Sequence, residues 1–349
     1  MNFLKITRAI MVASLMLLLL VSCHKEEITM GNNASDYFYI ERKGASLFTL
    51  VRGNTASKIF LLIVHGGPGD SGLSYSNSYM RENIESRYAV IYSDQRDAGS
   101  SQGNFNAENL SLDNMAEDIN CLISVLKQRY GNDIELFMMA HSFGGLLSPA
   151  YLTKSDYQSQ IKGLIYADGA FDYPLNDSLT RTRLLAEGER QIAMGKKVDK
   201  WNDILSYCHE HTGNFTFEES MKINQLAWKG QSCLDNLKKS ESEEIDLNAP
   251  EWERPFSAML SNMYVNKKFS KDILHASYTS QLNKITVPVL IIYGEYDMVC
   301  PKELGDVFYN QISSTDKEMF IAKGCTHSPM NQDPDFFYDK AIEFIERLK

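Results

Sequence analysis

Short apolar runs separated by helical patterns dominate the hydrophobicity of this chain. The runs are KIFLLIV, YAVIYS, IELFMMA, IKGLIYA and VPVLIIY, at positions 58–64, 88–93, 134–140, 161–167 and 287–293. Such runs, rich in β-branched and aromatic residues and ended by Gly, Asp or His, are typical of strands buried on both faces. Apolar positions recur at helical spacing between them and near the C-terminus, as in 112–130 and 334–348. Alternating strands and helices predict a mainly parallel α/β sheet flanked by helices.

Two parts of the chain depart from this alternation. Residues 37–43 and 46–52, YFYIERK and SLFTLVR, have no helix between them and predict an opening antiparallel hairpin. From residue 171 to 282 the chain is polar, helical in pattern and without clear strands. We therefore expect residues 171–282 to form a helical cap, inserted into a core made of residues 37–170 and 283–349.

The N-terminus carries the pattern of an export signal. Lys5 and Arg8 precede an apolar run over 9–21, which is shorter than the roughly 20 residues that a membrane span needs. The following LVSC resembles a bacterial lipobox, which implies cleavage after residue 22 and a lipid on Cys23. An ordinary cleaved signal is the alternative. Polar residues 23–36 predict a tether, so we expect an exported protein held only by its lipid in a bacterial cell envelope membrane. We expect that membrane to be the outer membrane, with the protein facing either the periplasm or the cell surface.

Length and charge narrow the classes of partner. The chain has 349 residues, 44% of them hydrophobic, which is enough for a sizeable core. Its formal net charge is −10 and it has no basic patch interleaved with aromatic residues, which argues against nucleic acid as a partner. The sequence does not determine the oligomeric state.

Export also bears on the cysteines, because the compartment is oxidising. Beyond Cys23 the chain has five, an odd number, so at least one is unpaired within the chain: Cys121, Cys208, Cys233, Cys300 and Cys325. Cys121 lies in a helical pattern and is expected to be the free thiol. Bridges Cys208–Cys233 and Cys300–Cys325 are the candidates for the others. A zinc site at CHEH, 208–211, is the alternative for the first pair, but its spacing matches no standard pattern.

The stretch MMAHSFGG, 138–145, places a serine between a predicted strand and a helix-compatible run. This is the context of a nucleophile elbow, the sharp turn that exposes a catalytic hydroxyl. The tight turn requires small residues two before and two after the serine, and Ala140 and Gly144 meet this. The usual motif has Gly at the first position, so Ala140 is a small departure. Ser142 is the predicted nucleophile.

A serine hydroxyl needs a base, and the base needs an orienting carboxylate. In this topology the chain order is serine, acid and histidine. Asp297 follows the strand VPVLIIY, and His327 follows a predicted strand over 317–322. Asp168, after the strand IKGLIYA, is the alternative acid.

Backbone N–H groups must stabilise the charge that develops during acyl transfer. The glycine-rich HGGPG at 65–69 directly follows a strand and allows close approach of the backbone. We assign the two donors of an oxyanion hole to the N–H groups of Gly67 and Phe143. This chemistry requires no metal and no cofactor.

Together these motifs resemble the α/β-hydrolase fold, and within it the prolyl aminopeptidase (proline iminopeptidase) group. The resemblance rests on HGGPG, SDQRDAGSSQG at 93–103, MAHSFGG at 139–145, GEYD at 294–297 and CTHSP at 325–329. It covers residues 40–170 and 285–348 and implies a Ser–Asp–His triad and an aminopeptidase activity. Asp97 stands where the group usually has Gly. The group's cap glutamates, which hold the substrate amine, have no matching motif here. By composition, candidates for substrate contact are Gly66, Glu187, Glu189, Glu218 and Trp228.

These observations predict a serine hydrolase that acts through an acyl-enzyme. Its expected substrate is a small peptide, from which it releases the N-terminal residue, with proline as one candidate. A carboxylesterase or lipase-like enzyme on the same triad, acting on small esters, is one alternative. A non-catalytic surface binding protein is another, although such a protein would not need all three triad residues.

Overall fold

A single sheet of nine strands organises the protein in a computed structural model, which describes residues 28, 30–103, 109–240 and 273–349. The strands are β1 Ala34–Arg42, β2 Ala45–Gly53, β3 Ile59–Val64, β4 Ala89–Ser93, β5 Gln102–Gly103, β6 Glu135–His141, β7 Gly163–Ala167, β8 Val289–Gly294 and β9 Lys317–Ala322. Their order is β1-β2-β4-β3-β6-β7-β8-β9, with β5 paired to β2. Strands β3, β4, β6, β7, β8 and β9 are mutually parallel. Strand β2 pairs antiparallel with β1, β4 and β5.

Helices connect most of the parallel strands. They are α1 Leu112–Tyr130, α2 Gly144–Leu152, α3 Tyr173–Ala193, α4 Val198–Glu210, α5 Phe217–Gln231, α6 Lys302–Gln311, α7 Pro329–Gln332 and α8 Pro334–Leu348. Short 3-10 turns lie at Thr55–Ser57, Gly72–Tyr75, Tyr157–Gln160 and Thr279–Lys284, and a π-helical turn lies at Met80–Glu85. This arrangement confirms the predicted fold class, with each predicted strand and helix within a few residues of its expected position.

Strand β3 illustrates why these runs form the centre of the sheet. All six of its residues are buried, and successive side chains alternate between the two faces. Phe60, Leu62 and Val64 join the hydrophobic core that also contains residues of α1, α2 and α6. Ile59, Leu61 and Ile63 join the core under α8. A strand buried on both faces has no polar positions, which is why its sequence is a continuous apolar run.

The N-terminal strand begins earlier than expected. Residues 34–36, which the sequence placed in the tether, belong to β1 and pair with the end of β2. The predicted signal peptide and Cys23 lie outside the described residues. No helix in the described ranges is both long enough and apolar enough to cross a membrane.

Helices α3, α4 and α5 lie in the segment predicted as a cap, between β7 and β8. The Gln231 side chain at the end of α5 accepts a hydrogen bond from the backbone of Met298 at 2.8 Å. Arg183 of α3 pairs with Glu303 of α6 at 2.9 Å. These contacts connect α5 to the loop after β8 and α3 to α6. The remainder of the predicted cap, 241–272, lies outside the described residues, so the boundaries of the cap remain a prediction.

The five described cysteines are all free thiols, so neither of the expected bridges is formed. Cys208, Cys233, Cys300 and Cys325 are buried and fill space in the interior as small apolar side chains. Among the described residues, no group of three or more His, Cys, Asp or Glu side chains is arranged to hold a metal ion.

Candidate active site

Ser142 lies in a strained turn between β6 and α2. Its φ of +55° is in the left-handed region, which is uncommon for a residue other than glycine. A Cβ at Gly144 would lie 2.1 Å from the carbonyl oxygen of Val64, so this position requires glycine. Ala140, by contrast, is fully buried within β6 and pairs in register with its neighbours. Alanine at that position therefore leaves the turn intact.

Three side chains from separate parts of the chain meet at this turn. His327, in the loop after β9, places Nε2 2.9 Å from the Ser142 hydroxyl oxygen. Its Nδ1 lies 2.8 Å from Oδ2 of Asp297. Both distances are within hydrogen-bonding range, so the hydroxyl, the imidazole and the carboxylate form a hydrogen-bonded series. The arrangement can move a proton from the serine to the histidine.

Asp297 is held in the loop after β8 by backbone donors. Its Oδ1 accepts hydrogen bonds from the N–H groups of Val299 and Cys300, at 2.8 and 3.0 Å. The side chain is fully buried. Two N–H donors and a histidine stabilise negative charge on this carboxylate, despite its burial.

Asp168, the alternative acid, lies beside this carboxylate and makes no hydrogen bond to His327 in the structure. Its Oδ1 accepts a hydrogen bond from the N–H of Gly294 at 2.8 Å, and its side chain also interacts with that of Asp297. Burial, and next the negative charge of Asp297, raise the pKa of Asp168 well above its usual range. Asp168 is therefore a neutral carboxyl next to the carboxylate of Asp297, and Asp297 is the residue that contacts His327.

Hydrogen bonds to the DQR motif, residues 94–96, hold the glycine-rich loop and the residues that follow it in place. Asp94 accepts hydrogen bonds from the Ser71 hydroxyl and from the N–H groups of Gly72 and Ser100, at 2.7, 2.8 and 2.6 Å. The next residue, Gln95, donates its backbone N–H to Nε2 of His65 at 3.0 Å and its side-chain amide to the carbonyl of His65 at 2.9 Å.

Arg96 and Asp97 complete this motif without entering the site. Arg96 is fully buried and forms a two-pronged ion pair with Asp118, at 2.8 and 2.6 Å. Asp97 has φ of +61°, a conformation that favours glycine, which accounts for the usual glycine at this position. Asp97 is not among the residues that line the cavity described below.

A cavity of about 350 Å³ opens onto Ser142, between the sheet edge and helices α3 and α5. Its walls include Gly66 and Gly67 of the glycine-rich loop and apolar side chains from the cap: Tyr173, Phe217, Met221, Trp228, Ile273 and Leu274. Trp228 is 49% exposed, and its ring stands edge-on to His327 with 5.4 Å between centroids. Two of the five residues proposed for substrate contact, Gly66 and Trp228, therefore do line the cavity.

The three candidate glutamates lie elsewhere. Glu187 pairs with Arg190 at 2.5 Å, and the side chains of Glu189 and Glu218 are exposed to solvent. None of the three lines the cavity. Glu189 and Glu218 occupy outward faces of α3 and α5. Glu187 is mostly buried within the cap, where it also accepts a hydrogen bond from the Gln191 side chain at 2.7 Å.

Sequence reasoning missed a different acid, Asp177, which lines the cavity together with Asn176 and Ser220. Burial raises the pKa of Asp177 to about 6, and a hydrogen bond with Ser220 opposes this rise. Oδ1 of Asn176 is buried without a partner. The signal was present in the sequence: Asn176, Asp177 and Thr180 are polar residues at the spacing of one helix face, and all three are buried.

Comparison with known proteins agrees with this geometry. The sequence profile of the alpha/beta hydrolase fold matches residues 59–334, most of the chain. The chain belongs to this family. This α/β hydrolase is 24% identical over 314 residues to a proline iminopeptidase of Thermoplasma volcanium, covering 88% of this chain and 96% of the relative.

Two solved structures share the α/β-hydrolase fold of this chain. A proline iminopeptidase of Mycobacterium smegmatis superimposes with a TM-score of 0.57 at 16% identity, covering 90% of this chain and 98% of that one. An esterase of Exiguobacterium antarcticum has a TM-score of 0.57 at 19% identity, covering 90% and 100%. The comparisons support a hydrolase of the aminopeptidase or esterase type.

Proposed function

We propose that this α/β hydrolase is a serine aminopeptidase that releases N-terminal residues from short peptides through an acyl-enzyme. The observation that carries the proposal is the hydrogen-bonded series Ser142–His327–Asp297 at the mouth of a cavity that contains a buried acid. The sequence match to a proline iminopeptidase over most of both chains supports the same class of reaction.

The reaction follows from the proton positions. Nε2 of His327 takes the proton of the Ser142 hydroxyl as the serine oxygen attacks the substrate carbonyl carbon. Asp297 orients the imidazole through Nδ1 and stabilises the imidazolium that forms. The imidazolium then gives its proton to the leaving amine as the peptide bond breaks, which leaves an acyl-enzyme.

Water completes the cycle. His327 takes a proton from a water molecule, the resulting oxygen nucleophile attacks the acyl-enzyme, and the proton returns to Ser142. The backbone N–H groups of Gly67 and Phe143 are the proposed donors to the oxyanion in both steps. Each such donor contributes about 3 kcal/mol of transition-state stabilisation in comparable sites.

Asp177 is the proposed partner of the substrate's ammonium group. Two described acids line the cavity, Asp70 and Asp177, and of these Asp177 stands on a cap helix. Asn176 and Ser220 line the cavity beside it. A carboxylate in a buried position interacts strongly with a cation, and the substrate amine would also restore the polar partner that Asn176 lacks. The apolar side chains around it suit a small acyl group such as a prolyl residue.

The test compares four substrates of the purified protein: prolyl and alanyl arylamides, the N-acetylated alanyl arylamide and a simple acyl ester. We expect release from the free-amine arylamides that is lost in Ser142→Ala, and at least a tenfold lower kcat/KM for the N-acetylated compound. Serine-dependent turnover of the ester alone would retain the triad and reject the aminopeptidase.

Two variants of α3 test the amine contact. Asp177→Asn should raise KM for the free-amine arylamides by about tenfold or more, because a buried charge pair is lost, and should leave ester turnover unchanged. Glu189→Gln is the matched control, since it neutralises an exposed acid on the same helix. Equal effects of both variants would reject Asp177 as the partner of the amine.

The N-terminal pattern supports a second proposal, that the protein is a lipoprotein anchored through Cys23. Intact mass of the protein purified from bacterial membranes tests it. We expect a chain that starts at residue 23 and carries acyl groups, and Cys23→Ala should remove both the lipid and the membrane association. A wild-type chain cleaved at another position without added lipid would contradict the anchor.

A further inference from the structure

Three hydrogen bonds in series connect the glycine-rich loop to the base. The backbone N–H of Gly66 donates to the hydroxyl oxygen of Tyr75 at 3.0 Å. That hydroxyl lies 2.6 Å from Nδ1 of His141, and Nε2 of His141 lies 2.8 Å from the carbonyl oxygen of His327. The mechanism above uses neither Tyr75 nor His141.

The partners determine where the protons lie. A carbonyl oxygen can only accept, so Nε2 of His141 carries a hydrogen and donates it to His327. In a neutral imidazole Nδ1 is then an acceptor, and the Tyr75 hydroxyl donates to it. Each group in the series therefore donates to the next from Gly66 to His327, and the tautomer of His141 is fixed.

Both side chains are held in their neutral forms. Burial, and next the adjacent charge of His327, lower the pKa of His141 to about 3. Burial raises the pKa of Tyr75 well above its usual range. His141 thus adds no positive charge beside the imidazolium that His327 becomes during the reaction.

The series spans the whole site. Gly66 packs over the nucleophile, since a Cβ at this glycine would lie 3.1 Å from Cβ of Ser142. His141 is the residue before Ser142, and its ring lies 4.9 Å from that of His327, centroid to centroid. The serine, the base and the proposed oxyanion loop are therefore linked through one tyrosine and one histidine.

We propose that Tyr75 and His141 are positioning residues, which hold the loop of Gly66–Gly67 and the loop of His327 in register around Ser142. This inference rests on the proposed function, because it concerns the efficiency of the same serine. Misplacement of a donor or of the base by a fraction of an ångström lowers the rate of the chemical step more than it weakens binding.

Kinetics of four variants test the role. Tyr75→Phe and His141→Leu should lower kcat by about 10- to 100-fold with KM within about twofold, on whichever arylamide or ester the wild-type protein hydrolyses. His141→Gln should retain kcat within about fivefold, because a glutamine can donate to the carbonyl and accept from the tyrosine. Tyr92→Phe is the control: it removes a buried tyrosine hydroxyl that binds Glu85, away from the site.

The outcomes are distinguishable. Undiminished kcat in Tyr75→Phe, or the same loss in Tyr92→Phe, would overturn the positioning role. If His141→Leu fails to fold, Tyr75→Phe decides, since it removes a single oxygen atom. Undiminished turnover in Ser142→Ala would overturn the proposed function and this inference with it.

The tautomer provides a readout that does not depend on activity. Nitrogen-15 NMR of the histidine rings, with His141 assigned through its loss in His141→Gln, should show Nε2 protonated and Nδ1 unprotonated from pH 5 to 8. A His141 signal that titrates in this range, or one with the proton on Nδ1, would overturn the proposed series.

Discussion

Asp168 and Asp297 follow neighbouring parallel strands and interact as two fully buried carboxyls, yet only Asp297 contacts His327. Two adjacent carboxyls cannot both ionise at low cost in a buried site. Asp297 has two backbone N–H donors and an imidazole, whereas Asp168 has one N–H donor and lies against the Asp297 side chain. The negative charge therefore belongs to Asp297, and Asp168 remains neutral behind it.

Substitution of the two acids should have very different effects on turnover. Asp297→Asn should lower kcat by about 10⁴-fold, because the amide can neither hold the required tautomer of His327 nor stabilise its imidazolium. Asp168→Asn should keep kcat within about threefold, since an amide has the size of a protonated carboxyl. Steady-state kinetics on one substrate compare them, and a larger loss in Asp168→Asn would reverse the assignment.

The same pair predicts a pH-dependent change in stability. The raised pKa of Asp168 means that the folded protein keeps a proton that the unfolded chain releases above about pH 4. The contribution of Asp168 to folding therefore weakens as pH rises. Asp168→Asn should raise Tm at pH 8 and leave it nearly unchanged at pH 4, by calorimetry. An equal shift at both values would contradict a neutral Asp168.

The core of the site could be predicted from the sequence because its signals are local. The elbow needs small residues at fixed offsets from Ser142, and the acid and the base each follow an apolar strand. Parallel strands then bring these loops to one edge of the sheet. The strand patterns likewise predicted the strands of the sheet, apart from the start of β1 and the two-residue strand β5.

The substrate pocket could not be predicted in this way. Its acid, Asp177, is distinguished from Glu187 and Glu189 only by the direction in which α3 turns it, which depends on tertiary packing. The expected disulfides were wrong for a related reason: the number of cysteines and their predicted loops do not show whether their side chains face each other.

Asp177 predicts a pH dependence that is specific to amines. Its pKa of about 6 means that the carboxyl is largely charged at pH 7 and protonated at pH 5. KM for an aminoacyl arylamide should rise about tenfold as the pH falls from 7 to 5, while the substrate amine stays protonated. KM for a neutral ester should change little. A parallel rise for both substrates would remove Asp177 from the amine contact.

The elbow makes a prediction about glycine. Gly144→Ala would place a methyl group against the Val64 carbonyl, so we expect a loss of about 3 kcal/mol in the free energy of unfolding, together with loss of activity. Ala140→Gly restores the usual residue and should cost only about 1 kcal/mol, with activity retained. Denaturant titrations compare the two, and similar stability in both would contradict the tight turn.

The most direct test of the central claim is to locate the nucleophile chemically. The purified protein is treated with a fluorophosphonate, and the modified peptide is identified by mass spectrometry. We predict stoichiometric modification of Ser142, at least 10³-fold slower in His327→Gln and absent in Ser142→Ala. Modification of another residue, or none in a protein that is folded by calorimetry, would contradict the account.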